Sequence, residues 1–156
     1  MESVYTTHPR QYRVHKILAH SYIVYFILFL ISVSLDIFLK IRIFSSPAMI
    51  SLGILLLVIA SLLILWAQKS SRNLDTKNVT KESFSKGPYR YTRHPTHWGL
   101  FFLMLGFGLM ANAFFVIVFT LVAFLVTKFI FVKKQEEVLA EKYGAPYLEY
   151  KKMVKF

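Results

Sequence analysis

The amino-acid sequence predicts an all-α integral membrane protein with about four transmembrane helices. Hydrophobic residues make up 56% of the 156 residues and charged residues only 17%, and the apolar residues are gathered into runs long enough to cross a bilayer. The chain carries 19 Lys and Arg against 8 Asp and Glu. On so apolar a chain this balance indicates cationic loops at anionic headgroups rather than a nucleic-acid groove. We expect one membrane domain over residues 1–156.

The first two predicted spans are nearly continuous apolar runs, about 20–39 and 48–68. At about 1.5 Å per residue each run reaches roughly 30 Å as a helix, the thickness of a hydrocarbon core. Asp36 is the one charge in the first run, and its simplest partner is Lys40 one turn later. The first run is too long for the core of a cleaved signal peptide, and no small-residue cleavage pattern follows it.

Two further spans follow a long polar stretch over residues 69–95. The sequence is then mainly apolar to residue 131 and is broken at residues 111–113, which predicts a helical hairpin with spans of about 96–110 and 113–132. Beyond it, the charged tail predicts an amphipathic helix against the membrane face, broken near residues 144–146. No Cys is present, which excludes disulfides, thiolate metal sites and Cys nucleophiles, and His8, His15 and His20 are not at metal-ligand spacing with any partner.

Positive charge predicts the orientation of the chain. With four spans, the amino terminus, the 69–95 loop and the carboxyl tail share one side and hold 16 of the 19 Lys and Arg. That side is therefore expected to be cytoplasmic, with both termini on it. Lys128 lies inside the fourth span within about one turn of the same side, where its ammonium group can snorkel to the interface.

Residues 87–99, GPYRYTRHPTHWG, are the most distinctive segment outside the spans. Pro95 suits the first turn of a helix because its missing N–H would be unpaired there. A helix start flanked by Arg90, Arg93 and His94 offers free N–H groups and positive charge for a carboxylate or phosphate. Interfacial anchoring by Tyr, Trp and Arg explains the same residues equally well on physical grounds alone.

This segment and the tail together resemble the integral-membrane methyltransferases, namely isoprenylcysteine carboxyl methyltransferases and related phospholipid methyltransferases. The resemblance covers roughly residues 85–152. Its motifs are Gly-Pro-Tyr-Arg-Tyr at 87–91, Arg-His-Pro-x-x-x-Gly at 93–99, a helical hairpin, the Glu136-Glu137 pair and the tyrosines of 143–150. The combination is specific, although each motif alone is weak.

The resemblance implies S-adenosylmethionine as the methyl donor, bound at the cytoplasmic face between the helix entry and the Glu-bearing segment. Gln135-Glu136 fits the family's acidic pair by spacing, whereas Glu136-Glu137 fits it by residue type with a one-residue deletion. The family usually has Tyr where this chain has His97. The implied cofactor-binding residues are Tyr89, His94, Pro95, Thr96, His97, Gly99, Gln135, Glu136 and Glu137.

The chemistry of methyl transfer suggests roles for the charged residues. Placing the acceptor beside the methyl carbon supplies much of the acceleration. A carboxylate or thiolate acceptor needs a cation to orient it, for which Arg90, Arg93 and Lys151 are candidates. An amine acceptor must lose a proton, for which Glu136, Glu137 and His97 are candidates.

Two other functions are compatible with parts of the sequence. Sterol reductases resemble this family in their carboxyl-terminal half and use NADPH, but their chains are longer. A small four-helix transporter would need an acidic residue deep in a span, and Asp36 lies near an edge. The expected partners are the lipid bilayer and a lipophilic or small methyl acceptor. The acceptor, the oligomeric state and the choice between cell membrane and endoplasmic reticulum stay open.

Overall fold

The structure, a computed structural model, describes residues 9–44, 46–72 and 79–155, with side chains from residue 16 onward. The start of the predicted domain and part of the predicted 69–95 loop lie outside these ranges. Every regular element within them is helical. The elements are α1 Pro9–Leu39, α2 Pro47–Arg72, α3 Lys81–Phe84, a 3₁₀ turn Gly87–Arg90, α4 Pro95–Met110, α5 Phe114–Val126, a π-helical segment Thr127–Val132, α6 Lys133–Tyr143 and α7 Ala145–Met153.

Three of the described segments are long and apolar enough to cross a membrane: Lys16–Leu39, Pro47–Arg72 and Phe114–Tyr143. The helix α4 is also apolar but has only 16 residues. Large apolar side chains point outward from the long helices; Phe38 is 83% exposed and Phe129 is 70% exposed. Surfaces of this kind require a lipid solvent. The chain is therefore an all-α membrane protein, as the sequence predicts.

The closest helix contact is between α2 and α4, and small residues make it possible. A Cβ atom added to Gly53 would lie 2.6 Å from the carbonyl oxygen of Gly106, and one added to Gly106 would lie 2.8 Å from the oxygen of Gly53. Only hydrogen fits at these two positions. Further along the same contact, Gly99 faces Ile64 and the backbone of Ala60.

The hairpin turn between α4 and α5 is held by two polar side chains. Asn112 has a φ of 51°, accepts hydrogen bonds from the N–H groups of Ile43 and Phe44, and donates one to the Phe44 carbonyl at 2.7 Å. The carboxylate of Asp36 accepts hydrogen bonds from the first N–H groups of α5, at 3.0 and 2.9 Å. The predicted turn at Asn112 is confirmed.

The predicted pairing of Asp36 with Lys40 is wrong. The structure contains no ion pair between these residues, because both carboxylate oxygens of Asp36 satisfy the unpaired N–H groups at the start of α5. Asp36 therefore works as a helix cap between α1 and α5 and not as a free carboxylate.

The fourth hydrophobic helix continues beyond its predicted end. The structure shows no break at Lys133, because α5, the π-helical segment and α6 follow one another without interruption from Phe114 to Tyr143. The break predicted near residues 144–146 is confirmed: Gly144 has a φ of 60° and separates α6 from α7. The tail is therefore an extension of the hairpin followed by α7, which packs on α3 and α6.

Candidate active site

The candidate site begins where α4 starts. Pro95 is the first residue of α4 and His94 precedes it, so the missing N–H falls where no helical hydrogen bond is made. The 3₁₀ turn Gly87–Arg90 packs against α2, and the Tyr150 hydroxyl donates a hydrogen bond to the carbonyl oxygen of Tyr89 at 2.7 Å. The segment is thus tied to both α2 and α7.

Glu136 of α6 is the centre of a buried charge cluster. Its Oε1 atom lies 2.8 Å from Arg93 Nη1 and 3.0 Å from His94 Nε2, and its Oε2 atom lies 2.8 Å from Lys151 Nζ. The side chains of Glu136 and Arg93 are only 11% and 16% exposed. Such burial is tolerated because the charges are paired, and the surrounding donors keep the carboxylate ionised.

Two cavities adjoin this cluster and share the side chains of Arg93 and His94. The loop cavity, about 250 Å³, is walled by α1, the end of α2, the segment from α3 to the start of α4, and α6 and α7. The hairpin cavity, about 240 Å³, is walled mainly by α4, α5 and the π-helical segment. Arg93 and His94 therefore form a wall between two chambers.

The loop cavity contains buried polar groups that have no partner in the described part of the chain: Tyr147 Oη, Gln135 Oε1 and Arg93 Nε. Burial raises the pKa of Tyr147, and the nearby charge of Glu136 raises it further. The Tyr147 hydroxyl is therefore a protonated donor at neutral pH. Unpartnered buried donors and acceptors are costly, so their presence around this cavity indicates a polar ligand.

An aromatic cluster supports the loop cavity. The Phe84 ring lies 5.0 Å from Tyr143, 5.5 Å from Tyr147 and 5.6 Å from Tyr150, measured between ring centroids. Val154 also packs in this cluster. These contacts attach α7 and the end of the chain to α3 and form the aromatic wall of the cavity.

The hairpin cavity combines an apolar wall with basic side chains. Trp98 and Phe124 pack with ring centroids 5.0 Å apart, and Val132 continues this wall. His97 is only 4% exposed, and neither ring nitrogen makes a hydrogen bond in the described ranges, although the Gln135 amide lies near it. Thr92, Thr127, Lys128, Glu136 and Lys155 complete the lining with the two shared residues.

The structure separates the three consecutive candidates on α6. Gln135 lines the loop cavity and Glu136 lies in the charge cluster, whereas Glu137 is exposed. Successive residues of an α-helix are about 100° apart, so three in a row cannot all face one site. The Gln135-Glu136 register therefore places both residues at the site, whereas the structure places Glu137 outside both cavities.

Three other predicted site residues lie elsewhere. Arg90 is exposed and lines neither cavity, because the 3₁₀ turn directs it outward. Gly99 packs closely against α2 and lines neither cavity. Pro95 starts α4 without lining either cavity. Tyr89, His94, Thr96 and Gln135 line the loop cavity, while Arg93, His94, His97 and Glu136 line the hairpin cavity.

Several lining residues escaped the sequence interpretation. Tyr147 belongs to the tyrosine motif of residues 143–150 but has no site assignment from the sequence, and Lys155 has no recognisable signal. Lys128 was visible as a cation inside a span, which is a signal for function, but snorkelling explained it equally well. The Arg93 Nη2 atom donates a hydrogen bond to the Lys155 carbonyl at 3.1 Å, so the backbone at residue 155 reaches the cluster.

The fold and the site together describe an all-α membrane protein with a buried charge cluster between two cavities, an arrangement typical of an enzyme. The family model for phospholipid methyltransferases matches residues 48–146, more than half of the chain. The chain therefore belongs to the phospholipid methyltransferase family, and the resemblance found in the motifs is confirmed. No curated protein and no solved structure matches it.

Proposed function

We propose that this membrane methyltransferase uses S-adenosylmethionine as its methyl donor, that the loop cavity binds the donor and that the hairpin cavity binds a lipophilic acceptor. The observation that carries the proposal is the set of unpartnered buried groups around the loop cavity, directly beside the Arg93–His94–Glu136 cluster.

The loop cavity offers groups for three parts of the donor, namely its carboxylate, its adenine ring and its ribose. Arg93 and Lys86 supply positive charge for its carboxylate. The aromatic wall supplies faces for an adenine ring. The Tyr147 hydroxyl and the Gln135 amide supply hydrogen bonds for ribose hydroxyls. The residues present therefore fit the donor that the family resemblance implies.

When bound, S-adenosylmethionine supplies a methyl group on a sulfonium, and the electrons of the broken C–S bond stay on sulfur. The protein's own task is positioning. Both oxygens of Glu136 are engaged with cations, so Glu136 is a poor base and a good anchor for Arg93. His97, which is buried and makes no hydrogen bond at either ring nitrogen in the described ranges, is the better group to orient an acceptor.

The acceptor is expected to be lipophilic because the hairpin cavity is walled by Trp98, Phe124 and Val132 on membrane helices. Since this cavity shares Arg93 and His94 with the loop cavity, donor and acceptor would meet at that wall. The excess of Lys and Arg on the side of the site favours the cytoplasmic face for the reaction and for both termini.

The test is calorimetric titration of detergent-purified protein with S-adenosylhomocysteine. The Tyr147→Phe variant removes a hydroxyl that has no partner in the described residues, so it should fold normally and bind roughly three- to tenfold more weakly. The Arg90→Gln variant is the matched control because Arg90 lies outside both cavities. Absence of binding to the parent protein, or displacement of the ligand by NADPH, would refute the proposal.

A further inference from the structure

Two lysines of the hairpin cavity have no role in the charge cluster. Lys128 lies in the π-helical segment and Lys155 follows α7, and both line the cavity. Neither is ion-paired with a carboxylate in the part of the chain that the structure describes. A cation within a membrane segment without such a partner is a candidate for ligand binding.

The charge balance of the cavity is positive. Among the described residues of its lining, Glu136 is the one acidic residue, and that carboxylate is already paired with Arg93 at 2.8 Å and Lys151 at 2.8 Å. Within residues 79–155, therefore, no carboxylate compensates the charges of Lys128 and Lys155. A ligand with an anionic group would supply the compensating negative charge.

A second observation independently indicates a ligand in this cavity. His97 is 4% exposed, lines the cavity and has no hydrogen bond at either ring nitrogen in the described ranges. The buried His97 and the exposed lysines mark an inner and an outer part of the chamber, with Trp98 and Phe124 on the wall. A ligand here needs an apolar body, an anionic group near the lysines and a polar group near His97.

We propose, on the basis of the function proposed above, that Lys128 and Lys155 select acceptors by binding a phosphate or carboxylate group carried by a lipophile. The π-helical segment has a part in this selection, because it contributes Thr127, Lys128 and Val132 to the cavity. Segments of π-helix commonly occur at functional sites.

The experiment measures binding without methyl transfer. The chain has two Trp residues, so a Trp66→Phe background leaves Trp98 in the cavity as the reporter. The protein in a neutral detergent is titrated with dodecyl phosphate and with dodecanoate, which separate phosphate from carboxylate. Dodecanol controls for partitioning, and inorganic phosphate tests whether a free anion suffices.

We expect a saturable change in Trp98 fluorescence with at least one of the two anionic amphiphiles. The double variant Lys128→Gln/Lys155→Gln should bind roughly tenfold more weakly, whereas the double Arg variant should keep the affinity. Lys152→Gln is the matched control, because Lys152 is exposed and lines neither cavity.

The inference would be overturned if dodecanol or inorganic phosphate bound as tightly as the anionic amphiphiles. An unchanged affinity for those amphiphiles in the double Gln variant would also overturn it. Binding of S-adenosylhomocysteine, measured on the same samples, should stay within twofold in the lysine variants. If the parent protein binds dodecyl phosphate through the lysines but does not bind S-adenosylhomocysteine, the anion site stands and the donor assignment fails.

Discussion

Replacing Glu136 with Gln removes the charge at the centre of the cluster while keeping the shape of the side chain. Arg93, at 16% exposure, would stay charged with its main partner gone. Breaking a buried pair in this way costs about 3–5 kcal/mol. The side chain of Lys151 is 44% exposed, so its ammonium group can be solvated by water when Glu136 is replaced. Loss of the Lys151 ion pair therefore contributes at most about 1 kcal/mol to the destabilisation.

Because the substituted amide still accepts one hydrogen bond, we expect the Glu136→Gln variant to lose about 3 kcal/mol of unfolding free energy, at the lower end of the range for buried pairs. For a chain of this size that corresponds to a fall in Tm of roughly 6–12 °C. Thermal unfolding in detergent, followed by intrinsic fluorescence, measures this shift.

The control is Glu137→Gln, the same substitution one residue along on the exposed face of α6. It should change stability by less than about 0.5 kcal/mol. Combining Glu136→Gln with Arg93→Gln should cost less than the sum of the two single changes, because the unpaired guanidinium is then absent. Equal losses in Glu136→Gln and Glu137→Gln, or a larger loss in the latter, would refute the cluster and the register it defines.

Three further predictions follow from the geometry. The His97→Phe variant should lower the rate of methyl transfer roughly tenfold, about the value of one hydrogen bond, and should leave the affinity for S-adenosylhomocysteine within twofold. Thr96 faces the loop cavity, so the Thr96→Val variant should instead weaken that affinity in calorimetry. Gly106→Val should destabilise the protein by about 2 kcal/mol or more in thermal unfolding, because its Cβ would lie 2.8 Å from a carbonyl oxygen of α2; an unchanged Tm would contradict the packing. The Asp36→Ala variant should lose about 1–2 kcal/mol of unfolding free energy through loss of the α5 cap, whereas Lys40→Gln should leave the Tm unchanged. Equal effects of the two substitutions would support an Asp36–Lys40 ion pair instead.

Much of the fold was predictable because the bilayer imposes a strong local rule. A segment in lipid must satisfy its backbone hydrogen bonds internally and present apolar side chains, so length and hydropathy predict helices. The turn at Asn112 was visible as a polar residue between apolar runs, and the break near Gly144 as a flexible residue followed by Pro146. The end of the fourth helix was not visible, because charge at Lys133 marks the membrane boundary and not the end of helical hydrogen bonding.

The site was predictable as a set of motifs but not as a set of contacts. The candidate residues from the sequence include Arg93, His94, Glu136 and Lys151. The structure brings these side chains together, although His94 and Glu136 are 42 residues apart in the sequence. The exposed Glu137 and the buried Glu136 are indistinguishable by residue type. Their difference depends on the rotation of α6 about its axis, and packing against α1 and α7 determines that rotation.

The sequence by itself determined the membrane class, the approximate spans and the methyltransferase motifs, because hydropathy and short motifs are properties of neighbouring residues. Tertiary structure alone decided that Asp36 caps α5 instead of pairing with Lys40. It also decided that two cavities share Arg93 and His94 and that Lys128 and Lys155 line the same cavity. These outcomes depend on which surfaces close helix packing brings together, and no local pattern encodes that choice.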